Sequence, residues 1–241
     1  MKIEFTTKNT VILSIAVFVL LLIVGYVFLK PTGKFETYFV DDKFTPVSDL
    51  KLKAGEAYVY RYTIENQSSD IEYLVNGILD NCTQVTGTSL MNKSIKVMTC
   101  FDIKNGQPDK IVLSNDFGVR REVTPANFSF LQSWMFFDFF QPWMLGAKEG
   151  FVWNSSRIIE HENLKVKTVF MRTYEVKGVE TKNGREAYKV DVYFKELYND
   201  VTRNNGYEGT IWIDKEKRVL ISYSSVLSKI DLVKAPFALA K

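Results

Sequence analysis

The sequence predicts a mainly β fold: an N-terminal transmembrane helix, then an antiparallel sheet that carries one aromatic-rich helix. Three observations predict it. Val11–Leu29 is an apolar run without a charged residue. The rest of the chain is a series of period-two stretches separated by Gly, Asn, Asp and Pro turns, the pattern of half-buried strands. One segment, Val123–Leu145, breaks that pattern because it is crowded with Phe and Trp.

The apolar run comes first. Nineteen helical residues from Val11 to Leu29 span about 28 Å, close to the ~30 Å of a bilayer's hydrocarbon core. Tyr26 stands near the outer end, where aromatic belts form, and Lys30 and Pro31 close the helix. A cleaved signal peptide would show a shorter apolar core and an A-x-A-like site; the stretch IVGYVFLKPTGKF offers no good one, which leaves cleavage as the competing reading. A buried core helix would show a polar face, and this run has none. The expected organisation is a cytoplasmic tail over 1–9, an uncleaved anchor over 10–30, a stalk over 31–49 and an extracytoplasmic β-rich domain over 50–235, with a helical insert over 124–145.

Lysines flank the run almost equally, so charge does not orient it. Asn66, Asn81, Asn92, Asn127 and Asn154 each head an Asn-x-Ser/Thr acceptor pattern. Together with the cysteines they favour a single-pass cell-membrane protein, its amino terminus cytoplasmic and its bulk outside. Cys82 and Cys100 are the only cysteines. If strands pair about Met91, the two fall opposite each other and a cross-strand disulfide is geometrically reasonable. Such a bond stabilises by about 3 kcal/mol and persists in oxidising compartments. The competing reading is two independent buried thiols.

Along the domain, Phe35–Val40 is a first strand or part of the stalk. Tyr58, Tyr60, Tyr62 and Ile64 alternate with Val59, Arg61 and Thr63, so one strand face is nearly all aromatic. Gln67–Asp70 reads as a turn, Ile71–Leu79 and Cys82–Thr86 as strands, then Ser94–Ile103, a turn at Lys104–Pro108, and Ile111–Ser114. Thr124 and Pro125 suit a helix start, and Pro142 stops a helix running to about Phe140. Sixteen such residues are too few to cross a bilayer. Val166–Lys177 is a long strand. Asn183-Gly184 is a strong hairpin signal, after which Tyr188, Val190, Val192 and Phe194 share a face. Tyr198–Gly206 reads as a polar loop, Gly209–Asp214 and Arg218–Leu227 as strands about the Asp214–Lys217 turn. Ile230–Lys241 stays unassigned. No repeat of fixed period is visible.

The net charge is +3, and Lys2, Lys8, Lys30 and Glu4 account for +2 of it. The remaining domain is nearly neutral, without a basic footprint for nucleic acid or for anionic lipid. His161 is the only histidine. Glu160-His161-Glu162 reads as a solvated charged turn; in a strand it would not assemble a metal shell either, since a strand sends its middle residue to the opposite face. No nucleotide, hydrolase or metalloprotease motif occurs. Acid pairs such as Asp41-Asp42 or Glu175 with Glu180 rise no higher than surface carboxylates. The expectation is therefore no catalytic residue, no metal and no cofactor.

The aromatic segment has three readings: a buried helix packed across a sheet, a lid over an apolar cavity, or an interfacial helix resting on the membrane. In the lid reading Trp134, Phe136, Phe137, Phe140 and Trp143 face a ligand across Tyr58, Tyr60 and Tyr62.

Tyr174–Glu180, Asn183–Val190 and Thr210–Asp214 resemble the closing strands of bacterial lipoprotein-carrier (LolA-type) half-barrel proteins. The resemblance covers about forty residues of the last third and the order sheet, helix, sheet. It implies a curved, half-barrel-like sheet whose inner face, capped by Phe128–Phe140, accepts lipid chains. Two functions follow as expectations. The first is a membrane-anchored domain binding a hydrophobic ligand of the lipid class. The second is a non-enzymatic structural or interaction subunit with a protein partner at the membrane.

Overall fold

A computed structural model describes residues 35–41, 44–65, 67–90, 95–115, 120–123, 139–161 and 164–239. The expected anchor, most of the expected helix, and the acceptor sites Asn66, Asn92 and Asn127 lie outside them. Among the described residues no helix is long and apolar enough to cross a membrane.

The described chain forms thirteen strands: β1 (Phe35–Asp41), β2 (Ala57–Ile64), β3 (Gln67–Leu79), β4 (Cys82–Ser89), β5 (Ile95–Asp102), β6 (Pro108–Asn115), β7 (Arg120–Val123), β8 (Val152–His161), β9 (Val166–Lys182), β10 (Arg185–Tyr198), β11 (Val201–Asp214), β12 (Leu220–Ser225) and β13 (Ser228–Lys234). They make one antiparallel sheet in the order β1-β8-β9-β10-β11-β12-β13-β2-β3-β4-β5-β6-β7, open at β1 and β7. Two six-stranded meanders, β2–β7 and β8–β13, are therefore joined side by side where β13 pairs with β2.

The strand predictions hold in outline, shift at two turns and omit β7, β8 and β13; Glu160 and His161, expected in a charged turn, lie in β8. Gln67–Asp70 begins β3 instead of turning, because Glu65 (φ 53) takes the left-handed conformation and pairs Ile64 with Gln67. Tyr198–Gly206 is not a loop. Asn199 (φ 45) and Asp200 (φ 64) make a tight turn, and β11 starts at Val201. Asn183 (φ 51) and Gly184 (φ 76) form the expected hairpin turn. Phe35–Asp41 is a strand paired with β8. Phe139 and Phe140 are not helical, and Pro142 opens a 3₁₀ turn, Pro142–Gly146, where a helix end was expected.

The meanders repeat one another at matched positions. Lys53-Ala-Gly-Glu-Ala-Tyr58 enters β2 as Lys148-Glu-Gly-Phe-Val-Trp153 enters β8, with Gly55 (φ 83) and Gly150 (φ 72) at the same turn. Val75 N–H donates to the Glu56 carbonyl, and Val176 N–H to the Phe151 carbonyl, both at 2.9 Å. Tyr73-x-Val-x-Gly77 on β3 matches Tyr174-x-Val-x-Gly178 on β9. Each carries a bulge, at Asn76 and at Lys177, beside its glycine, the device that bends a strand. Asp102 and Asp214 head identical turns: Asp102 Oδ1 accepts from the N–H of Lys104 and Asn105, and Asp214 Oδ1 from those of Glu216 and Lys217. The fourth residues after them, Gly106 (φ 68) and Arg218 (φ 62), close both turns.

One crossover, Phe139–Ala147, lies against the inner face and shows how far the sheet curves. Phe140 meets Phe101 on β5 with ring centroids 5.2 Å apart, and Trp143 meets Tyr174 on β9 at 4.7 Å. Those strands are eight places apart in the sheet, or about 38 Å if it were flat. Three residues of chain reach only about 10 Å, and side chains stand roughly perpendicular to a sheet. The sheet therefore wraps around the segment.

Candidate functional site: the aromatic inner face

Alternation sends Tyr58 and Tyr60 of β2, Ile71, Tyr73 and Val75 of β3, and Trp153, Tyr174, Val176, Val190 and Val192 of the second meander to the inside, where all are buried. The crossover lays one large ring on each meander. Phe139 stacks on Tyr73 at 5.0 Å and tilts against Tyr58 at 5.2 Å. Trp143 stacks on Trp153 at 5.4 Å. The same inward pair thus serves twice, Tyr58/Tyr73 under Phe139 and Trp153/Tyr174 under Trp143. Leu220 N–H donates to the Phe139 carbonyl (3.0 Å) and Val47 N–H to the Leu145 carbonyl (2.9 Å), which fixes the segment's backbone at both ends.

Several polar atoms of this floor are paired, while Arg218 Nε beside the crossover is buried without a hydrogen-bond partner. Tyr60 Oη donates to the Leu220 carbonyl at 2.7 Å, and Trp143 Nε1 to Gln141 Oε1 at 2.7 Å. Tyr58 Oη donates to Glu56 Oε2 at 2.8 Å, and Lys217 Nζ reaches Glu56 Oε1 at 2.6 Å. Burial alone would push the Glu56 carboxyl up; donation from Lys217, the Lys53 N–H and Tyr58 outweighs it and holds the group below the ordinary value. Burial pushes both Tyr58 and Tyr60 up, so they stay neutral hydrogen-bond donors.

The floor occupies one end of the inner face. Toward the end where β2 meets β3 the lining changes. Tyr62, Ile230, Tyr223, Ile211, Val190 and Val176 form a continuous cross-strand row. Beyond it on β9 and β10, Phe170 stacks on Phe194 at 6.1 Å. Tyr62, Tyr223, Ile211, Phe170 and Phe194 are half-buried, unlike the floor. Among them Arg172 makes a two-pronged ion pair with Glu208, both bonds at 2.8 Å. Such a pair fixes one guanidinium geometry inside an apolar surround.

Of the ligand-facing residues expected from sequence, Tyr58, Tyr60, Tyr62, Phe140 and Trp143 come together on the inner face. Trp134, Phe136 and Phe137 lie outside the described residues. Phe101, Phe139, Tyr73, Trp153 and Tyr174 complete the floor without having been expected as ligand contacts, as does Phe237, whose ring meets Tyr58 at 6.2 Å and receives the Arg185 guanidinium at 4.4 Å. Tyr73 and Tyr174 had a signal, the shared Tyr-x-Val-x-Gly pattern. Phe139 belongs to the aromatic segment expected to cap the inner face, whereas Phe237 lies in the unassigned tail and had no signal.

Cys82 and Cys100 stand at disulfide spacing with Cα atoms 5.5 Å apart. They are diagonal, not opposite, because the hairpin pairs Cys82 with Asp102 and Gln84 with Cys100. Alternation puts them on the outer face, since Thr83, Val85, Thr99 and Phe101 between them are buried. Asn81 and Asn154 are exposed. Of the acidic groups weighed from sequence, Glu160 faces Lys167, Glu175 faces Lys177, and Glu180 faces Lys189 and accepts from Trp212 Nε1.

No family model matches the chain, and no curated protein sequence matches it. Solved structures that resemble it include these two. The hypothetical lipoprotein YmcC of Escherichia coli is 16% identical over 76% of this chain and 85% of its own, with a TM-score of 0.36. A Bacteroides fragilis protein described as exported and as having a YmcC-like fold is 13% identical over 80% of this chain and 99% of its own, with a TM-score of 0.35.

Proposed function

We propose that the chain is a membrane-anchored, extracytoplasmic domain that holds a hydrophobic ligand of the lipid class on its inner face, beyond the aromatic floor. The anchor is Val11–Leu29, as the sequence indicates. The observation that carries the reading is the gradient along the inner face, from fully packed rings around Phe139 to half-buried Tyr62, Tyr223, Ile211, Phe170 and Phe194. Concave apolar surface with one fixed polar group is the usual form of a ligand site. In this reading Tyr58, Tyr60, Phe140 and Trp143 support the floor, and ligand contacts move to Tyr62, Tyr223, Phe170 and Phe194; Trp134, Phe136 and Phe137, outside the described residues, stay proposed contacts on the sequence alone. A fatty acid carrying a photoreactive group on its acyl chain, added to membranes containing the full chain, tests it. Crosslinks on peptides bearing Phe170, Phe194 or Tyr223 are expected, beside those on Val11–Leu29. Crosslinks confined to Val11–Leu29 would contradict the site.

A second reading, an interaction subunit without a small ligand, is favoured by one observation. Tyr58, Tyr60, Phe140 and Trp143 are already closed over by the chain's own crossover, at 0–1% exposure.

A further inference from the structure

The five most exposed large apolar side chains among the described residues are Val226 (90%), Leu227 (72%), Val201 (67%), Leu164 (66%) and Ile64 (61%). All five sit at hairpin tips. Ile64 is at the β2–β3 turn, Leu164 at β8–β9, Val201 at β10–β11, and Val226 and Leu227 at β12–β13. Because the sheet is antiparallel throughout, these four turns share one end of it. Successive tips step along the sheet: β10 runs six residues beyond Val192, whose row leads through Gly209 to Ser225 at the top of β12. Such stagger is how tilted strands of a curved sheet bring their ends to a common rim. At the opposite end the turns Asp102–Gly106, Lys182–Arg185 and Asp214–Arg218 are polar, and the barest apolar side chains there among the described residues are Ile78, Leu79 and Val152, each less exposed than the five.

Strand β1 shows where the preceding chain leaves. Phe35 pairs with His161, at the apolar end. Only residues 30–34 separate Phe35 from the end of the apolar run at Leu29, and five residues reach at most about 17 Å. A membrane holding Val11–Leu29 is therefore within reach of this rim and not of the polar one.

We propose that the hairpin tips bearing Ile64, Leu164, Val201, Val226 and Leu227 insert into the surface of the same bilayer that holds the anchor. The inference rests on the anchor reading above. Single bare aliphatic side chains are ordinary, but apolar side chains gathered at one end of a fold mark an interaction surface, and the tether makes lipid the nearest apolar phase. The half-buried end of the inner face then opens toward the bilayer, the direction from which a lipid arrives.

Spin labels on L227C, V201C and, as the reference at the polar end, L79C test it, in the full chain reconstituted into phosphatidylcholine liposomes. The native cysteines are left paired. Greater collision with oxygen than with a water-soluble nickel chelate is expected at 227 and 201, and the reverse at 79. Labels at 227 and 201 as aqueous as that at 79, on protein that stays with the liposomes through an alkaline carbonate wash, would overturn tip insertion alone. Protein released by that wash would overturn the anchor reading and the insertion with it. Aqueous tips that become protected only when other membrane proteins are present would assign the rim to a protein partner and likewise overturn the proposal.

Discussion

Glu56 is the residue whose chemistry is most fully determined by its neighbours. It joins the chain before β2 to the β11–β12 turn through Lys217, and both side chains are mostly shielded, at 12% and 13% exposure. Its folded pKa lies below the ordinary value of 4.5. A depressed carboxyl contributes stability that is complete above the unfolded value and lost as pH falls through the folded one. Thermal stability should therefore decline as pH drops below about 4.5, and Glu56→Gln should lower stability at neutral pH while flattening that acid limb. An acid limb of unchanged slope in the variant would remove Glu56 from the account. Gly106 makes a second prediction at this scale. Its φ of 68 lies in the left-handed region that favours glycine, and, unlike at Arg218 in the twin turn, a Cβ there would stand 2.7 Å from Phe140 Cζ. Gly106→Ala should cost about 1–3 kcal/mol in denaturant unfolding. Gly55→Ala, with a similar φ but open space around it, should cost less.

Among elements, the crossover decides most. Phe139 touches Tyr58, Tyr60 and Tyr73 at once, so Phe139→Ala should lose about 3–5 kcal/mol, the range for a fully buried ring. Loss under 1 kcal/mol would mean that the floor does not depend on the segment. The Cys82/Cys100 pair is a different kind of support, a staple on the outer face of one hairpin. Replacing both by Ser should cost about 2–4 kcal/mol under oxidising conditions and nothing under reducing ones. Equal stability in both conditions would mean that the thiols are unpaired.

How far elements were legible in sequence follows from their periodicity. Tyr58–Ile64 and Tyr188–Phe194 alternate cleanly, and both became strands with the expected faces. Thr202–Tyr207 of β11 is exposed on both faces, so it has no alternation to read and looked like loop. The internal repeat escaped for a related reason. Its strands differ in length, with 13, 8 and 8 residues in β3, β4 and β5 against 17, 14 and 14 in β9, β10 and β11. No fixed period survives, and only turn and bulge positions, where backbone geometry dictates the residue, keep their identity.

At the scale of the molecule, the open sheet solves one problem and leaves another. Two meanders that each bend at a glycine-marked bulge are joined edge to edge, and their shared concavity is too large for side chains of the sheet alone to fill. The crossover fills one end with Phe139, Phe140 and Trp143. The other end keeps half-buried aromatics around Arg172–Glu208, next to the rim from which the N-terminal segment departs. The aromatic richness of the chain announced an apolar inner face. Which rings would be floor and which would line the open end was hidden, because that depends on where the crossover lies and not on any local pattern.

Native mass spectrometry of the full chain released from detergent micelles, with organic extraction of the bound fraction, addresses the central claim most directly. The account predicts a stoichiometric lipid-class adduct on the wild type that falls at least several-fold when Phe170 and Phe194 are both replaced by Ser. A bare wild-type mass from folded protein would contradict the ligand site and leave the aromatic inner face as a scaffold for protein partners.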